Sequence, residues 1–188
     1  MKKVYLLTII IIVLLLLSSC NTKNQNHMLN VVVDTEKLDH KFSNFKITYD
    51  EYIDNIQKYF TDNYNEEHHY NRRYVPDPTD LKNLNKSQLE EIRKDLSNQS
   101  NISVDISKPY SDNKEAYYVF TKSTVDSKDT EMEKLIITRK YRLTKKDNMW
   151  KIMELEQSIS GKETPEDNLK YTTKDNKKVE YIKTINID

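Results

Sequence analysis

Hydrophobic positions change their spacing several times along this chain, and each change marks an element. From Val4 to Leu17 they are almost continuous, interrupted only by Tyr5 and Thr8. Asn21 to Asn30 is mostly polar and reads as a flexible tether. Leu29-Asn30-Val31-Val32-Val33 reads as the start of an ordered strand, and Asp34 to Asn44 is polar with isolated apolar residues that define no element.

A 3.6-residue period follows. Tyr49, Ile53, Ile56, Tyr59, Phe60 and Tyr64 recur at helical spacing. Thr48 with Glu51 three residues on is a capping box, with Ile47 and Tyr52 placed as its hydrophobic staple. After a loop closed by Pro76-Asp77-Pro78, Asn85 and Gln88 repeat the arrangement. They open a second helix, with Leu89, Ile92 and Leu96 as its stripe, expected to end near Ser97.

From Ile102 the period becomes two. Ile102, Val104 and Ile106 alternate with polar residues until Pro109. Ala116 to Val125 and Leu135 to Thr144 read as further strands, and Met149 to Ile159 as a fourth after the turn at Lys145 to Asn148. Short turns between strands imply an antiparallel meander, because parallel strands need long crossovers. Val179, Tyr181, Ile185 and Ile187 share one parity, which suggests a last strand or hairpin, the alternative being a disordered tail. Helices first and an antiparallel sheet afterwards give an α+β class, with the helices covering one face of the sheet. The expected division is a signal peptide over 1–19, a tether over 20–30, an α+β domain over 31–160 and an extension over 161–188.

Composition narrows the functional classes. Gly161 is the only glycine, which removes the P-loop, the dinucleotide fingerprint and the nucleophile elbow. Cys20 is the only cysteine. It follows a basic start at Lys2-Lys3, the apolar run and the small pair Ser18-Ser19, the layout of a secretory signal. The run is shorter than the roughly 20 apolar residues a spanning helix needs.

Leu17-Ser18-Ser19-Cys20 resembles the lipobox of bacterial lipoproteins. The resemblance implies cleavage before Cys20, a diacylglycerol on its thiol, and a location on the outer face of the cytoplasmic membrane. Two acyl chains anchor stably where one is marginal. The alternative is an ordinary signal peptide with a chance cysteine. Cleavage removes 19 of 188 residues, two of them lysines, and leaves 28 basic against 30 acidic side chains. No basic excess remains for a nucleic-acid partner, and no thiol remains for a disulfide or a nucleophile.

Tyr141 to Ile152, a strand end, charged turn and Trp-Lys-Ile opening, resembles the closing hairpin of nuclear-transport-factor-two-like (cystatin-like) domains. That resemblance implies a curved sheet and a conical cavity, sometimes catalytic and often only a binding surface. The shortage of glycine departs from the family, whose curved sheets often place it at bulges. The whole layout is also similar to envelope lipoproteins of conjugative elements in Gram-positive bacteria, which implies protein partners in a DNA-transfer apparatus.

Candidate chemistry is sparse. Glu66-Glu67-His68-His69 offers metal-ligand types. Adjacent histidines do not share a helix face, however, and no third ligand is evident, so a solvated helix end or loop is the competing reading. No cofactor is implied. Arg72-Arg73 beside Tyr74 could hold an anion or a nucleic-acid strand, but without a basic excess a salt bridge to Glu66-Glu67 fits better. Arg139 interrupts the apolar face of its strand: it either points into the cavity and pairs with a carboxylate, or the strand twists to expose it. With His68 and His69 it makes up the candidate polar groups of the cavity. Trp150 reads as core. No catalytic set emerges, so a non-enzymatic binding or assembly domain stands beside a ligand-binding or enzymatic cavity.

Overall fold

The computed structural model describes residues 24–61, 82–95, 101–112, 115–126, 134–160, 173 and 177–187. Its first element corrects the reading of the N-terminal part of the domain. Residues 24–43 form one helix, α1, where a tether and a strand were expected. Met28, Leu29, Val32 and Val33 are buried, and their spacing continues through Thr35, Glu36, Asp39, His40 and Phe42, which are also buried. The stripe therefore has the helical period throughout but turns charged halfway, which hides it from a reading of apolar positions alone.

The end of α1 uses an unexpected residue. Lys46 N–H donates to Lys41 C=O at 2.8 Å and Phe45 N–H to Phe42 C=O at 3.0 Å, the two bonds of a Schellman motif. The left-handed position of that motif is held by Phe45 at φ 55°, where glycine is the usual residue. The conformation costs about 1–2 kcal/mol for a residue with a Cβ, and Phe45 offsets it by packing its ring against the core.

Helix α2 spans Tyr49–Ile56 behind the expected capping box: Thr48 Oγ1 accepts from Glu51 N–H at 3.2 Å, and Glu51 Oε2 accepts from Thr48 N–H at 3.1 Å. It is shorter than its periodicity suggested. A single 3-10 turn over Gln57–Tyr59 follows, and Phe60 is extended, bridging in parallel to Ile152. Tyr64 lies outside the described residues. Helix α3, Lys86–Asp95, has the second capping box, with Asn85 and Gln88 bonded reciprocally at 2.9 and 3.1 Å.

The strands are β1 (Asn101–Ser107), β2 (Tyr110–Ser111), β3 (Ala116–Asp126), β4 (Leu135–Lys146), β5 (Met149–Ser160) and β6 (Tyr181–Ile187). They form an open antiparallel sheet in the order β5-β4-β3-β1-β6, with β2 also beside β3. Strands β1 and β2 lie one after the other along β3 and are separated at Lys108-Pro109, since proline has no N–H for a ladder. Ser107 bridges the break: its hydroxyl donates to Lys108 C=O and accepts from Phe120 N–H, each at 2.9 Å.

Strands β4 and β5 join through Asp147-Asn148, both at positive φ (49° and 62°), the requirement of a two-residue hairpin turn and one that Asp and Asn tolerate. The bulges also form without glycine. One places Met153 between the partners of Leu143 and Arg142, and another lies at Ile106/Ser107 against β6. Strand β6 means that the stretch after Gly161 contributes to the sheet, at the edge opposite β5.

One face of the sheet is covered by helices. Ile102, Val104, Ile106, Val119, Tyr141, Leu143, Ile152 and Leu155 meet Leu29, Val32, Tyr49, Ile53 and Ile56 in one core. Each fully buried side chain of this kind contributes about 1.5–3 kcal/mol. Phe42 stacks on Tyr52 at 4.5 Å between centroids and joins the first two helices. Trp150 is only half-buried, set edge-on to Tyr117 at the margin of the core rather than inside it. The opposite face carries cross-strand pairs such as Lys140–Glu156 and Arg142–Glu154, both at 2.9 Å, and also holds Phe120, buried edge-on to Tyr110.

Candidate functional site

Between α1 and the middle of the sheet the core becomes ionic. The pairing register sets Thr121 on β3, Arg139 on β4 and Gln157 on β5 side by side, and Thr121 and Arg139 lie fully buried under α1 with Ser123 and Tyr141. Glu36, Asp39 and His40 descend from α1 at i, i+3 and i+4, the spacing that puts them on one helix face. The Arg139 side chain is 0% exposed and pairs with Glu36 through Nη1. The same nitrogen lies 3.7 Å from Asp39 Oδ2, and Nε donates to Gln157 Oε1 at 2.9 Å. Arg139 thus points inward and pairs with carboxylates.

Glu36 is the hub. Its Oε1 accepts from Thr121 at 2.6 Å and from Tyr141 at 2.7 Å. Its Oε2 accepts from Arg139 and, at 3.4 Å, from Ser123, with His40 Nε2 at 3.6 Å. A carboxylate offers about four lone-pair positions, and all of them are engaged. Asp39 is tied to α2 by Tyr52, whose hydroxyl donates to Oδ1 at 2.8 Å. Burial pushes the Glu36 carboxyl up, but the Arg139 charge, the hydrogen bond and charge of His40 and the Thr121 hydroxyl together outweigh it. The group is held well below the usual carboxylate range.

This geometry limits the chemistry. A general base works best with a pKa near the operating pH and needs a lone pair for the incoming proton. Glu36 is far too acidic and already saturated. Ser123 and His40 do not form a catalytic pair with it either. A triad acid holds the imidazole nitrogen opposite the one facing the nucleophile, whereas Ser123 Oγ and Glu36 both approach His40 Nε2, at 3.3 and 3.6 Å. Arg139 occupies the position a cation would take between the carboxylates. Among the described residues no group of three or more His, Cys, Asp or Glu side chains is arranged to hold a metal ion. The cluster works as an internal tie between α1, α2 and three strands.

Of the residues marked in the sequence, Arg139 is at the centre of this cluster, while Cys20, His68 and His69 lie outside the described residues. Sequence reading passed over Glu36, Asp39, His40, Tyr52, Thr121, Ser123 and Gln157 as site members. The available signal was the helical continuation from Leu29, Val32 and Val33 into Glu36 and His40. Among the described residues no helix is long and apolar enough to cross a membrane. No family model, curated protein or solved structure matches the chain.

Proposed function

We propose that this chain is a lipid-anchored lipoprotein of the outer face of the cytoplasmic membrane, and that its α+β domain is a non-enzymatic binding or assembly component of the cell envelope. The observation that carries the second half is the closed polar centre. Among the described residues, the clustered polar groups Glu36, Asp39, His40, Ser123 and Arg139 are buried and engaged with one another. Binding therefore falls to the outer surface. The first half rests on Leu17-Ser18-Ser19-Cys20 after its apolar run. The candidate setting is a conjugative DNA-transfer apparatus, on the likeness of layout. The alternative, a ligand-binding or enzymatic cavity, needs polar groups open to a ligand, and saturation of Glu36 weighs against it.

The test is metabolic labelling with tritiated palmitate, followed by cross-linking on intact cells. The parent chain is expected to take up label, sediment with membranes and be cross-linked to envelope proteins, while Cys20→Ala takes up none. Equal labelling of the variant would overturn the anchor. A cross-link pattern confined to the chain itself would overturn the assembly role.

A further inference from the structure

The two edges of the sheet are treated very differently. On the β5 edge, Phe60 and Thr61 lie against Ile152, with Thr61 N–H donating to Ile152 C=O at 3.0 Å. Further along, the bulge at Met153 and the charges of Glu154 and Glu156 interrupt it. Coverage, bulges and charge are the usual protections of an edge against unwanted pairing.

The β6 edge is less protected among the described residues: it has the bulge at Ile182 and the single charge of Lys183, but no described strand or bridge pairs along its outer side. Strand β6 has β1 as its only described strand neighbour. Its sequence, Tyr-Ile-Lys-Thr-Ile-Asn-Ile, has strong β-formers, one charge and neither proline nor glycine. Tyr181 and Ile182 are 37% and 51% exposed, two of the few large hydrophobic side chains left at the surface among the described residues. A row of main-chain donors and acceptors along such a strand is a template for another strand.

Charge selects the occupant. Between residues 177 and 187 the ionisable groups with fixed charge are Lys177, Lys178, Glu180 and Lys183, all exposed, and Glu180 is already paired with Lys108. The edge is therefore basic. A second β6 would bring like charges together, which destabilises cross-strand pairs. An acidic strand would meet complementary charge.

We propose that β6 is the docking edge for an extended, acidic segment of another protein, which adds to the sheet as a further strand. This deepens, and rests on, the reading of the domain as a binding component. Main-chain bonds to β6 supply the contact, Tyr181 and Ile182 its apolar anchor, and Lys178 and Lys183 its preference for acidic sequence.

The experiment uses the full-length chain in mild detergent and two fluorescein-labelled nine-residue peptides, one alternating valine and glutamate, the other valine and lysine. Anisotropy is expected to show saturable binding of the glutamate peptide, weakening with added salt as a surface charge interaction does. Hydrogen exchange is expected to slow at β6 amides when it binds. Lys178→Glu/Lys183→Glu, at exposed positions, is expected to weaken the glutamate peptide about tenfold and to strengthen the lysine peptide. Equal binding of both peptides, protection confined to other strands, or peptide-independent dimerisation that protects β6 would each overturn the proposal. If peptide binding fails while cross-linking in cells still finds envelope partners, the edge is wrong and the binding role stands.

Discussion

Two buried regions of opposite character lie between the helices and the sheet. In one, Tyr49, Ile53 and Ile56 of α2 with Leu29 and Val32 of α1 pack on Val104, Leu143 and Ile152. In the other, one helical turn further along α1, Glu36, Asp39 and His40 meet Arg139. Both are sealed from water, yet their energetics differ in kind. Apolar burial is non-directional and roughly proportional to area, so its losses are graded. A buried ion cluster carries a desolvation penalty that its internal attraction offsets only while every member is present. Half of it is worse than none.

The largest expected effect breaks the cluster at its single guanidinium. Arg139→Met leaves two carboxylates buried beneath α1 and is expected to cost about 3–5 kcal/mol, a large share of a typical total of about 5–15 kcal/mol. Glu36→Met/Arg139→Met is expected to lose less than the sum of the two single changes, with a coupling of about 0.5–3 kcal/mol. Urea unfolding of the four proteins measures it. Strict additivity would show that the ionic region behaves like the apolar one.

A subtler expectation concerns the sign of the acid response. In the parent, Glu36 is held below its unfolded value of 4.5. Its contribution is present above that unfolded value and is lost as pH falls through the folded one. Without Arg139, the raising effect of burial loses its main opponent, and the protonated form becomes the one the fold favours. Stability of Arg139→Met relative to the parent is therefore expected to recover as pH falls from 7 toward 4. Unfolding free energies measured across that range check it, and a gap that stays constant would remove Glu36 as its cause.

The same contrast explains what was legible in the sequence. Elements whose signal is local read clearly. Thr48 with Glu51 and Asn85 with Gln88 announce two helices, and strict alternation from Ile102 announces the strands. Arg139 was visible as a charged residue on an apolar face, so its inward direction was one of two definite options. Helix α1 was not legible as a helix because its buried stripe becomes polar at Thr35, and Val31-Val32-Val33 favours a strand locally. The partner of Arg139 was invisible for another reason: Glu36 is 103 positions away, and only the fold brings them together. The run Glu66-Glu67-His68-His69 stands out because it is compact in sequence, whereas the ionic centre is compact only in space.

The smallest expected effect tests whether the apolar side is as local as its sequence signals. Thr48 caps α2, and its partner Glu51 also pairs with Lys86 of α3 at 2.6 Å. That lysine and the Thr48 N–H hold the Glu51 carboxyl below its ordinary value, yet Glu51 is partly exposed, so solvent screens the pair. Thr48→Ala removes one acceptor for the Glu51 N–H and leaves the packing of Tyr49, Tyr52 and Ile53 in place. It is expected to cost about 1 kcal/mol, seen as a lower urea midpoint with an unchanged slope. Because Tyr52 also bonds to Asp39, a larger loss would mean that the first turn of α2 positions the ionic cluster as well. In that case Thr48→Ala and Arg139→Met would no longer add. A loss near 1 kcal/mol that adds to the Arg139 variant would keep the two regions energetically separate, joined by α1 and Tyr52 but independent in how they respond to substitution.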